Sequence, residues 1–450
     1  MYDLIIKKAR CLLPHPQNEN QVIEEELDLG IKEGKIEKIG GLYKAEAKEV
    51  FSAGGLYVLP GLIDTQVHFR EPGLEYKEDI SHGSLSAVKG GITAFFEMPN
   101  TVPPTAQPAD LEEKIKRAEK KSWCDFAFYL GAVQENKNIL SDIENSPACP
   151  GVKLFLGNST GNMALEDEES LHSVFSNRKR ITAIHSEDES LLRERKALAY
   201  TEPAHAKNHP LWRSAEVCFI STKRVVTLAQ KHQAPIHILH VSAKQEIEFL
   251  SQHKNIASVE VTPQHLTLSA PNCYEEYGSF VQMNPPIRDK AHQEALWKAV
   301  QSGVVDMIGS DHAPHTKEEK LKTYPASPSG MPGVQTLLPL MLDHVNKGRL
   351  DLKLLVQLLA HRPAQRFQLK NQGQIKEGFK AHFTIIDLKA RRRIESNWLA
   401  SKCAWSPFEN WQVQGWPVFT FLYGQKIVAE DEVLGLPSGQ KIEFNDVSSF

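Results

Sequence analysis

Eight short apolar runs that alternate with amphipathic stretches fill the middle of this 450-residue chain. Each run has the length of a buried β-strand, and the stretches between them carry apolar residues at helical spacing. The runs occupy residues 62–69, 92–98, 126–133, 152–156, 181–185, 236–241, 257–261 and 304–308, and the amphipathic stretches include 110–121, 214–232, 244–253 and 289–300. Eight strands that alternate with helices predict an α/β fold, a (β/α)8 TIM barrel. An open doubly wound sheet shares this alternation and stays open as an alternative on the pattern alone.

Both ends of the chain differ from the middle. Strand-like segments lie at residues 2–6, 27–31, 35–39, 383–388, 418–423 and 426–429, and glycines mark several of the turns beside them. Two β-rich ends around a helical middle predict one small β-sandwich domain built from both termini. We therefore expect residues 1–54 and 366–450 to form the sandwich and residues 55–365 to form the barrel.

Composition narrows the classes of function. Apolar residues make up 41% of the chain and charged residues 24%, which excludes disorder as its main state. The formal net charge is −4, too small for a general nucleic-acid binder or a polybasic membrane protein. No Cys-x-x-Cys pair occurs, no apolar run reaches the ~18 residues of a membrane span, and the first residues lack the pattern of a signal peptide. We expect a cytoplasmic protein with no nucleic-acid or membrane partner.

Residues that can bind a metal recur at the ends of the predicted strands. They are His68, His185, His240 and Asp311, with Lys153 inside the fourth strand and Asn100 just after the second. Barrel enzymes carry their sites at the carboxyl ends of the strands. A single histidine there is more often structural than a metal ligand, but ligand-type residues at four strand ends are hard to obtain by chance. The recurrence therefore favours a metal centre.

The residue types suit zinc. Imidazole nitrogens and carboxylate oxygens bind zinc and other divalent transition metals. Gln66 and His68 lie two residues apart on one strand, so they share a face. Lys153 lies in an apolar strand, where burial favours the neutral amine. A neutral lysine can react with carbon dioxide to give a carbamate that bridges two metals, whereas a lysine that extends out of the strand end is the structural alternative.

Longer motifs carry a resemblance to a known family. They are GLIDTQVHFREPG, GGITAFFEMPNT, GVKLFLGNSTG, IHSEDE, ILHVSA, VTPQHL, MNPPIRD, GSDHAPHTKEEK and PSGMPGVQTLLPLML. Over residues 55–340 the chain resembles class I dihydroorotases of the amidohydrolase superfamily, and SPFENWQVQGWPVFTFLYG is similar to the C-terminal sandwich segment of that family. The resemblance implies the barrel and the sandwich from both termini. It also implies reversible hydrolysis of L-dihydroorotate to N-carbamoyl-L-aspartate in pyrimidine biosynthesis.

The same resemblance implies a set of metal ligands. His68 and Asp311 match ligands of a first zinc, and His185 and His240 match ligands of a second. Lys153 matches the carboxylated lysine that bridges the two metals. Asp311 also matches the catalytic residue that moves the proton.

Substrate contacts and partners follow from the resemblance too. Arg70, Asn100 and His315 match groups that hold the substrate carboxylate, and Asn284 matches a contact to the ring. A planar guanidinium selects a carboxylate over uncharged cyclic amides, although a structural ion pair with Glu71 or Glu75 is the simpler alternative for Arg70. The resemblance further implies a homodimer and, in some relatives, an aspartate transcarbamoylase partner.

One position departs from the family pattern. Gln66 stands where the family has the first histidine of a His-x-His pair, and an amide oxygen is a weaker ligand than imidazole. We therefore expect one or two zinc ions per chain, with Gln66 a doubtful ligand. Two other functions stay open: an inactive scaffold for aspartate transcarbamoylase, and a related cyclic amidase such as an allantoinase.

Overall fold

A computed structural model describes residues 1–157, 163–176 and 178–446. Its strands follow the apolar runs of the sequence. They are β1 Tyr2–His15, β2 Asn18–Lys32, β3 Lys35–Ile39, β4 Ala47–Ser52, β5 Tyr57–Pro60, β6 Leu62–Val67, β7 Ile92–Glu97, β8 Asp125–Phe128, β9 Leu130–Gly131, β10 Gly151–Phe155, β11 Ile181–His185, β12 Ile236–Ile238, β13 Ala257–Val261, β14 Met307–Ile308, β15 Phe383–Arg393, β16 Gln412–Leu422, β17 Gln425–Ala429 and β18 Glu432–Val433.

Strands β6 to β14 close into a parallel barrel. β6, β7 and β8 pair in that order, and β9 to β14 pair in chain order in a second sheet. β8 and β9 form one broken strand, because the backbone N–H of Tyr129 between them donates to Glu97 O at 3.0 Å. A parallel bridge between Val67 and His312 joins the first strand to the segment after the last. The barrel is thereby confirmed over the open sheet.

Helices lie between and after the barrel strands along the chain. They are α1 Ile80–Lys89, α2 Pro108–Ala118, α3 Leu140–Ile143, α4 Glu168–Phe175, α5 Glu189–Arg195, α6 His209–Trp212, α7 Ala215–His232, α8 Lys244–Leu250, α9 Pro263–Thr267, α10 Asn272–Tyr277, α11 Lys290–Gln301, α12 Lys317–Lys320, α13 Leu337–Asn346, α14 Leu352–Val356 and α15 Arg362–Arg366. A π-helical turn, Gln357–His361, joins α14 to α15. Within the described ranges, no helix is long and apolar enough to cross a membrane.

The ends of α2 show how local chemistry fixes a helix. The sequence pattern placed this helix at 110–121, but it begins two residues earlier and ends at Ala118. Pro108 has the φ of a first helical turn, and Asp110 Oδ2 accepts the backbone N–H of Gln107 at 2.9 Å. The helix therefore begins before the apolar residues from which the sequence pattern located it.

The terminal strands form the β-sandwich. They pair in the order β18, β17, β16, β15, β5, β1, β2 and β3, and β4 pairs with β1. The pairing of β1 with β2 breaks between Ile6 and Ala9, where Lys8 has a φ of +52°. The first part of β1 pairs with β4 and the later part with β5, so this long strand has two different parallel neighbours. Apolar residues from the N-terminal and C-terminal strands share one core.

Asp125 joins the barrel to this sandwich. It begins β8 and is fully buried. Its carboxylate accepts hydrogen bonds from Lys380 Nζ at 2.9 Å and Tyr423 Oη at 2.9 Å, and His382 Nε2 lies 3.2 Å away. Burial alone would raise the pKa of Asp125, but His382 and Lys380 lower it to about 2. Because an unfolded aspartate has a pKa of ~3.9, this stabilisation is complete above pH ~4 and is lost as the pH falls toward 2.

Replacing Asp125 tests this junction. Asp125→Asn keeps the shape but leaves the Lys380 ammonium without its buried counter-charge. We expect the free energy of unfolding in urea at pH 7 to fall by ~3–5 kcal/mol. The control Asp431→Asn removes an exposed carboxylate that pairs with Arg392, and we expect it to cost under ~1 kcal/mol. Equal stabilities of the two variants would contradict the assignment.

Candidate active site

One cavity collects every residue singled out in the sequence. It has a volume of about 330 Å³ and lies at the carboxyl ends of the barrel strands. Its lining includes Gln66, His68, Arg70, Asn100, Lys153, His185, His240, Asn284, Asp311 and His315. These residues come from strands and loops spread over some 250 positions of sequence. The closed parallel barrel brings them to one place.

Asp311 is the centre of one half of the cavity. Gln66 Nε2 donates to Asp311 Oδ1 at 3.0 Å, and His68 Nε2 lies 3.3 Å from the same oxygen. His68 Nδ1 lies 2.7 Å from Asn100 Oδ1. Burial lowers the pKa of His68, so its ring is neutral and has a single N–H. With that proton directed at Asn100, His68 Nε2 presents a lone pair to the Asp311 carboxylate, as two ligands of one cation do.

The backbone around Asp311 is held by a buried carboxyl group. Asp64 Oδ1 accepts the backbone N–H of Ser310 at 3.0 Å and that of Gln66 at 3.2 Å. Burial raises the pKa of Asp64 to about 7. Asp311 itself has a φ of +44°, a conformation that is costly for a residue other than glycine. Asp64 therefore fixes Gln66 and Asp311 side by side.

His185 and His240 form the other half. His185 Nδ1 and His240 Nε2 lie 3.0 Å apart, and both rings are buried. His185 Nε2 lies 2.8 Å from Glu187 Oε2, which also forms an ion pair with Arg213. Burial opposes ionisation of Glu187, but Arg213 and His185 hold its pKa below its usual range. An ionised Glu187 orients the His185 ring, so that Nδ1 carries the lone pair toward His240.

Lys153 is the buried amine near both halves. Its side chain is fully buried, and within the described residues Nζ has no hydrogen-bond partner. Nζ lies 4.5 Å from the centre of the Phe155 ring. Burial lowers the pKa of Lys153 to about 7, so a large part of the amine is uncharged near neutral pH. Burying an amine without a hydrogen-bond partner costs free energy. The position therefore indicates that Lys153 reacts further or binds a ligand.

These residues fit a metal. Two nitrogens bound to a tetrahedral zinc at about 2.0–2.1 Å lie about 3.3–3.4 Å apart, and the facing nitrogens of His185 and His240 are 3.0 Å apart. The unpartnered Lys153 Nζ and the unpartnered Nδ1 of His240 are the further orphaned buried atoms beside them. Gln66 Oε1 is also buried without a partner, beside His68 and Asp311. The donor set matches a cation in each half.

Arg70 lies at the edge of this centre and faces no carboxylate of its own loop. Its Nε donates to Pro314 O at 3.2 Å, and Nη2 lies 3.3 Å from His315 Nε2. Glu71 instead pairs with Arg117 and Lys121, which removes it as a partner for Arg70. His315 Nδ1 lies 3.1 Å from Lys77 Nζ. Lys77 is in turn paired with Glu319 at 3.0 Å. The cavity thus holds a buried guanidinium whose hydrogen-bond contacts are a backbone carbonyl and an imidazole, and which can still bind an anionic group.

His209 and Arg213 are among the lining residues that were missed in the sequence. His209 Nε2 lies 2.8 Å from Asn284 Oδ1, and burial lowers the pKa of His209 to about 3. His209 Nδ1 lies 3.3 Å from Tyr324 Oη, so the ring joins three loops over the cavity. Both residues come from the long connection between β11 and α7. They follow no strand end, and their place in the HPLWR segment was the only available signal.

Other histidines lie outside the cavity lining. His237 contacts Ser258 and His265 contacts Thr262, and His312 accepts the backbone N–H of Gly333 at 3.0 Å. Glu78, Asp79 and His82 form a separate group whose ligand atoms lie within 4.8 Å of one another. Protein groups already serve them: Asp79 caps α1 and pairs with Lys402, and Glu78 contacts Ser401 and His312.

Comparisons with known proteins identify the family of this chain. Residues 57–427 match the model of the family described as "Amidohydrolase family". A dihydroorotase of Methanothermobacter thermautotrophicus is 35% identical, with 92% of this chain and 94% of the relative covered. A dihydroorotase of Pyrococcus furiosus is 34% identical, with 92% of each chain covered.

Solved structures show the same architecture. An L-hydantoinase (dihydropyrimidinase) from Arthrobacter aurescens superimposes with a TM-score of 0.93 at 28% identity. The alignment covers 98% of this chain and 100% of the hydantoinase. The family match spans most of the chain, and the relatives are aligned over nearly their whole length. The chain belongs to the amidohydrolase family, whose members are generally metal-dependent.

Proposed function

We propose that this protein is a class I dihydroorotase. It hydrolyses the ring amide of L-dihydroorotate to N-carbamoyl-L-aspartate, reversibly, in the pathway to pyrimidine nucleotides. The observation that carries this proposal is Arg70, a buried guanidinium in the same cavity as the metal-type ligands and without a carboxylate partner on its own loop. The dihydroorotase relatives at 34–35% identity support it.

The substrate carboxylate binds at Arg70. The guanidinium can offer parallel N–H donors to a carboxylate, with His315 and Asn100 beside it in the cavity. Contacts to Pro314 O and His315 fix the guanidinium plane before substrate arrives. Asn284 holds the ring, and His209 positions the Asn284 amide through its 2.8 Å contact. An uncharged cyclic amide such as allantoin has no carboxylate to bind Arg70, His315 and Asn100, which form the carboxylate clamp. This disfavours the cyclic-amidase alternative.

Asp311 moves the proton. Its carboxylate accepts a proton from the attacking water and passes it to the ring nitrogen as the amide bond breaks. Gln66 and His68 both contact Oδ1 of Asp311. These contacts orient the carboxylate and leave Oδ2 available to accept the proton. Asp311 also retains its place beside Lys153 and the two histidines. Apart from Gln66, the set of predicted ligands is complete, which disfavours the inactive-scaffold alternative.

Lys153, His185 and His240 would hold one zinc ion tightly, with Lys153 carboxylated. The bound metal supplies Lewis-acid activation of water and of the ring carbonyl. Loss of a proton from the Lys153 ammonium precedes its reaction with carbon dioxide, and its lowered pKa favours that step. His68 and Asp311 would hold a second ion more weakly, because the neighbouring Gln66 directs an amide N–H at Asp311. This gives one or two metals per chain, according to supply.

The wider setting is proposed on the same resemblance. The protein acts on small molecules in the cytoplasm, as a homodimer, and it can associate with an aspartate transcarbamoylase. The division of the chain at 54/55 and 365/366 also stays a proposal. Within it, the barrel carries the site, and the sandwich from both termini packs against β8 through Asp125.

Replacing Arg70 tests the substrate. Arg70→Met keeps an unbranched, apolar stem and removes the guanidinium donors. Because a hydrogen bond to a charged group contributes ~1.5–3 kcal/mol, we expect kcat/KM for L-dihydroorotate to fall about 10- to 150-fold. Arg10→Met, at a partly exposed arginine of β1 in the sandwich that pairs with Glu24, is the control and should leave kcat/KM unchanged. Faster hydrolysis of allantoin or hydantoin than of dihydroorotate by the unaltered enzyme would overturn the proposal.

Replacing Gln66 tests the metal count. After exhaustive dialysis, elemental analysis should give about one zinc per chain. Gln66→His restores an imidazole and removes the amide N–H from Asp311, so we expect close to two zinc ions per chain under the same dialysis. Gln264→His changes another buried glutamine near Ser310 and serves as the control, with no gain of metal expected. Two tightly held ions in the unaltered protein would rule out the role given to Gln66.

Replacing Asp311 tests the proton transfer. Asp311→Asn preserves the hydrogen-bonding shape but cannot accept a proton. We expect kcat to fall by ~10²–10⁴-fold, while the tightly held zinc at Lys153, His185 and His240 stays near one per chain. Retention of kcat within a few-fold would show that another group carries the proton.

A further inference from the structure

A second, larger cavity lies at the opposite end of the barrel from the catalytic one. Its volume is about 870 Å³, and it is lined by α15, the π-helical turn before it and the segment 303–306 ahead of β14. Asp306 directly precedes β14, whereas Asp311 of the catalytic cavity follows it. The two cavities therefore lie at the amino and carboxyl ends of the same short strand and share no lining residue.

Two polar side chains that line this second cavity have buried atoms without hydrogen-bond partners. Arg366 Nε and Nη2 are buried and make no hydrogen bond to any part of the chain that the structure describes. Gln372 is 3% exposed, and both Oε1 and Nε2 are likewise unpartnered. The wall of the cavity thus contains a guanidinium and an amide whose buried donors and acceptor are unused within the described chain. Buried polar groups are normally hydrogen-bonded, so the unpaired atoms of Arg366 and Gln372 indicate a place where a ligand could bind.

The neighbouring charged groups are already engaged. Arg362 donates to Val305 O at 2.8 Å and to Gln357 Oε1 at 2.9 Å. Its guanidinium is therefore part of the structure of the cavity wall. Asp306 accepts the backbone N–H of Val259 at 2.7 Å and forms an ion pair with Lys254. The negative charge closest to Arg366 is therefore neutralised. Lys376 adds a further positive charge to the lining, and Asp446 is its remaining acid.

We propose that this cavity binds a small organic oxyanion, with the anionic group on Arg366 and a polar part of the ligand on Gln372. A guanidinium fork matches the oxygens of a phosphate or a carboxylate. The volume suits a metabolite-sized ligand far better than a bare inorganic ion. Glutamine side chains at 365, 368, 372 and 374 supply both donors and acceptors for sugar hydroxyls or similar groups. The site is independent of the proposed catalytic function.

Binding of defined probes tests the site. The background is Arg70→Met, which removes the catalytic clamp as a competing anion site. Titration calorimetry with ribose 5-phosphate, citrate and inorganic phosphate separates a phosphate ester, a polycarboxylate and a bare ion. We expect saturable 1:1 binding of ribose 5-phosphate or citrate, and at least about tenfold weaker binding after Arg366→Met or Gln372→Leu. Arg393→Met, an exposed arginine of β15, is the control and should not change the affinity.

Thermal unfolding gives a second readout. Because Arg366 Nε and Nη2 and the Gln372 amide make no bonds within the described chain, Arg366→Met and Gln372→Leu should leave the ligand-free Tm unchanged or raise it. The rise of Tm that the bound probe causes should be lost in both variants. The proposal is overturned if no organic probe binds, if inorganic phosphate binds as tightly as either organic probe, if binding survives both substitutions, or if both ligand-free variants lose stability.

Discussion

Closure of the parallel barrel is the constraint on which the rest of the structure depends. All eight strand positions run in one direction, so their carboxyl ends meet at one face of the barrel. The bridge between Val67 and His312 completes that ring. It places Gln66 3.0 Å from Asp311, although 245 residues separate them in the chain. Without closure, Gln66 and His68 would lie at one edge of an open sheet and Asp311 at the other.

Burial then gives the assembled residues their chemistry. Lys153 is an ordinary lysine until the barrel removes it from water, and its lowered pKa follows from that removal. The neutral rings of His68 and His240 have the same cause. Behind them, Asp64 and Glu187 take the hydrogen bonds that fix which nitrogen or oxygen points inward. The site is therefore a set of pre-oriented donors in a medium of low polarity.

Site residues that follow a predicted strand could be identified from the sequence, and those in long connections could not. His185 and His240 end or closely follow apolar runs, so their placement at one face follows once the barrel is inferred. His209 and Arg213 lie in the long connection after β11, where no periodicity relates a residue to the barrel axis, and they were missed. The start of α2 was displaced because Pro108 and the cap at Gln107 extend the helix beyond its apolar residues. The direction of the Gln66 amide depends on Asp311, 245 residues away, and no local pattern encodes it.

The most direct test is the turnover of L-dihydroorotate by the purified protein alone, with zinc and bicarbonate supplied and no transcarbamoylase present. The assembled clamp, proton carrier and metal ligands lead us to expect formation of N-carbamoyl-L-aspartate, and the reverse ring closure at lower pH where the equilibrium favours the ring. Absence of product in both directions would contradict the account and would leave the intact site without its proposed reaction.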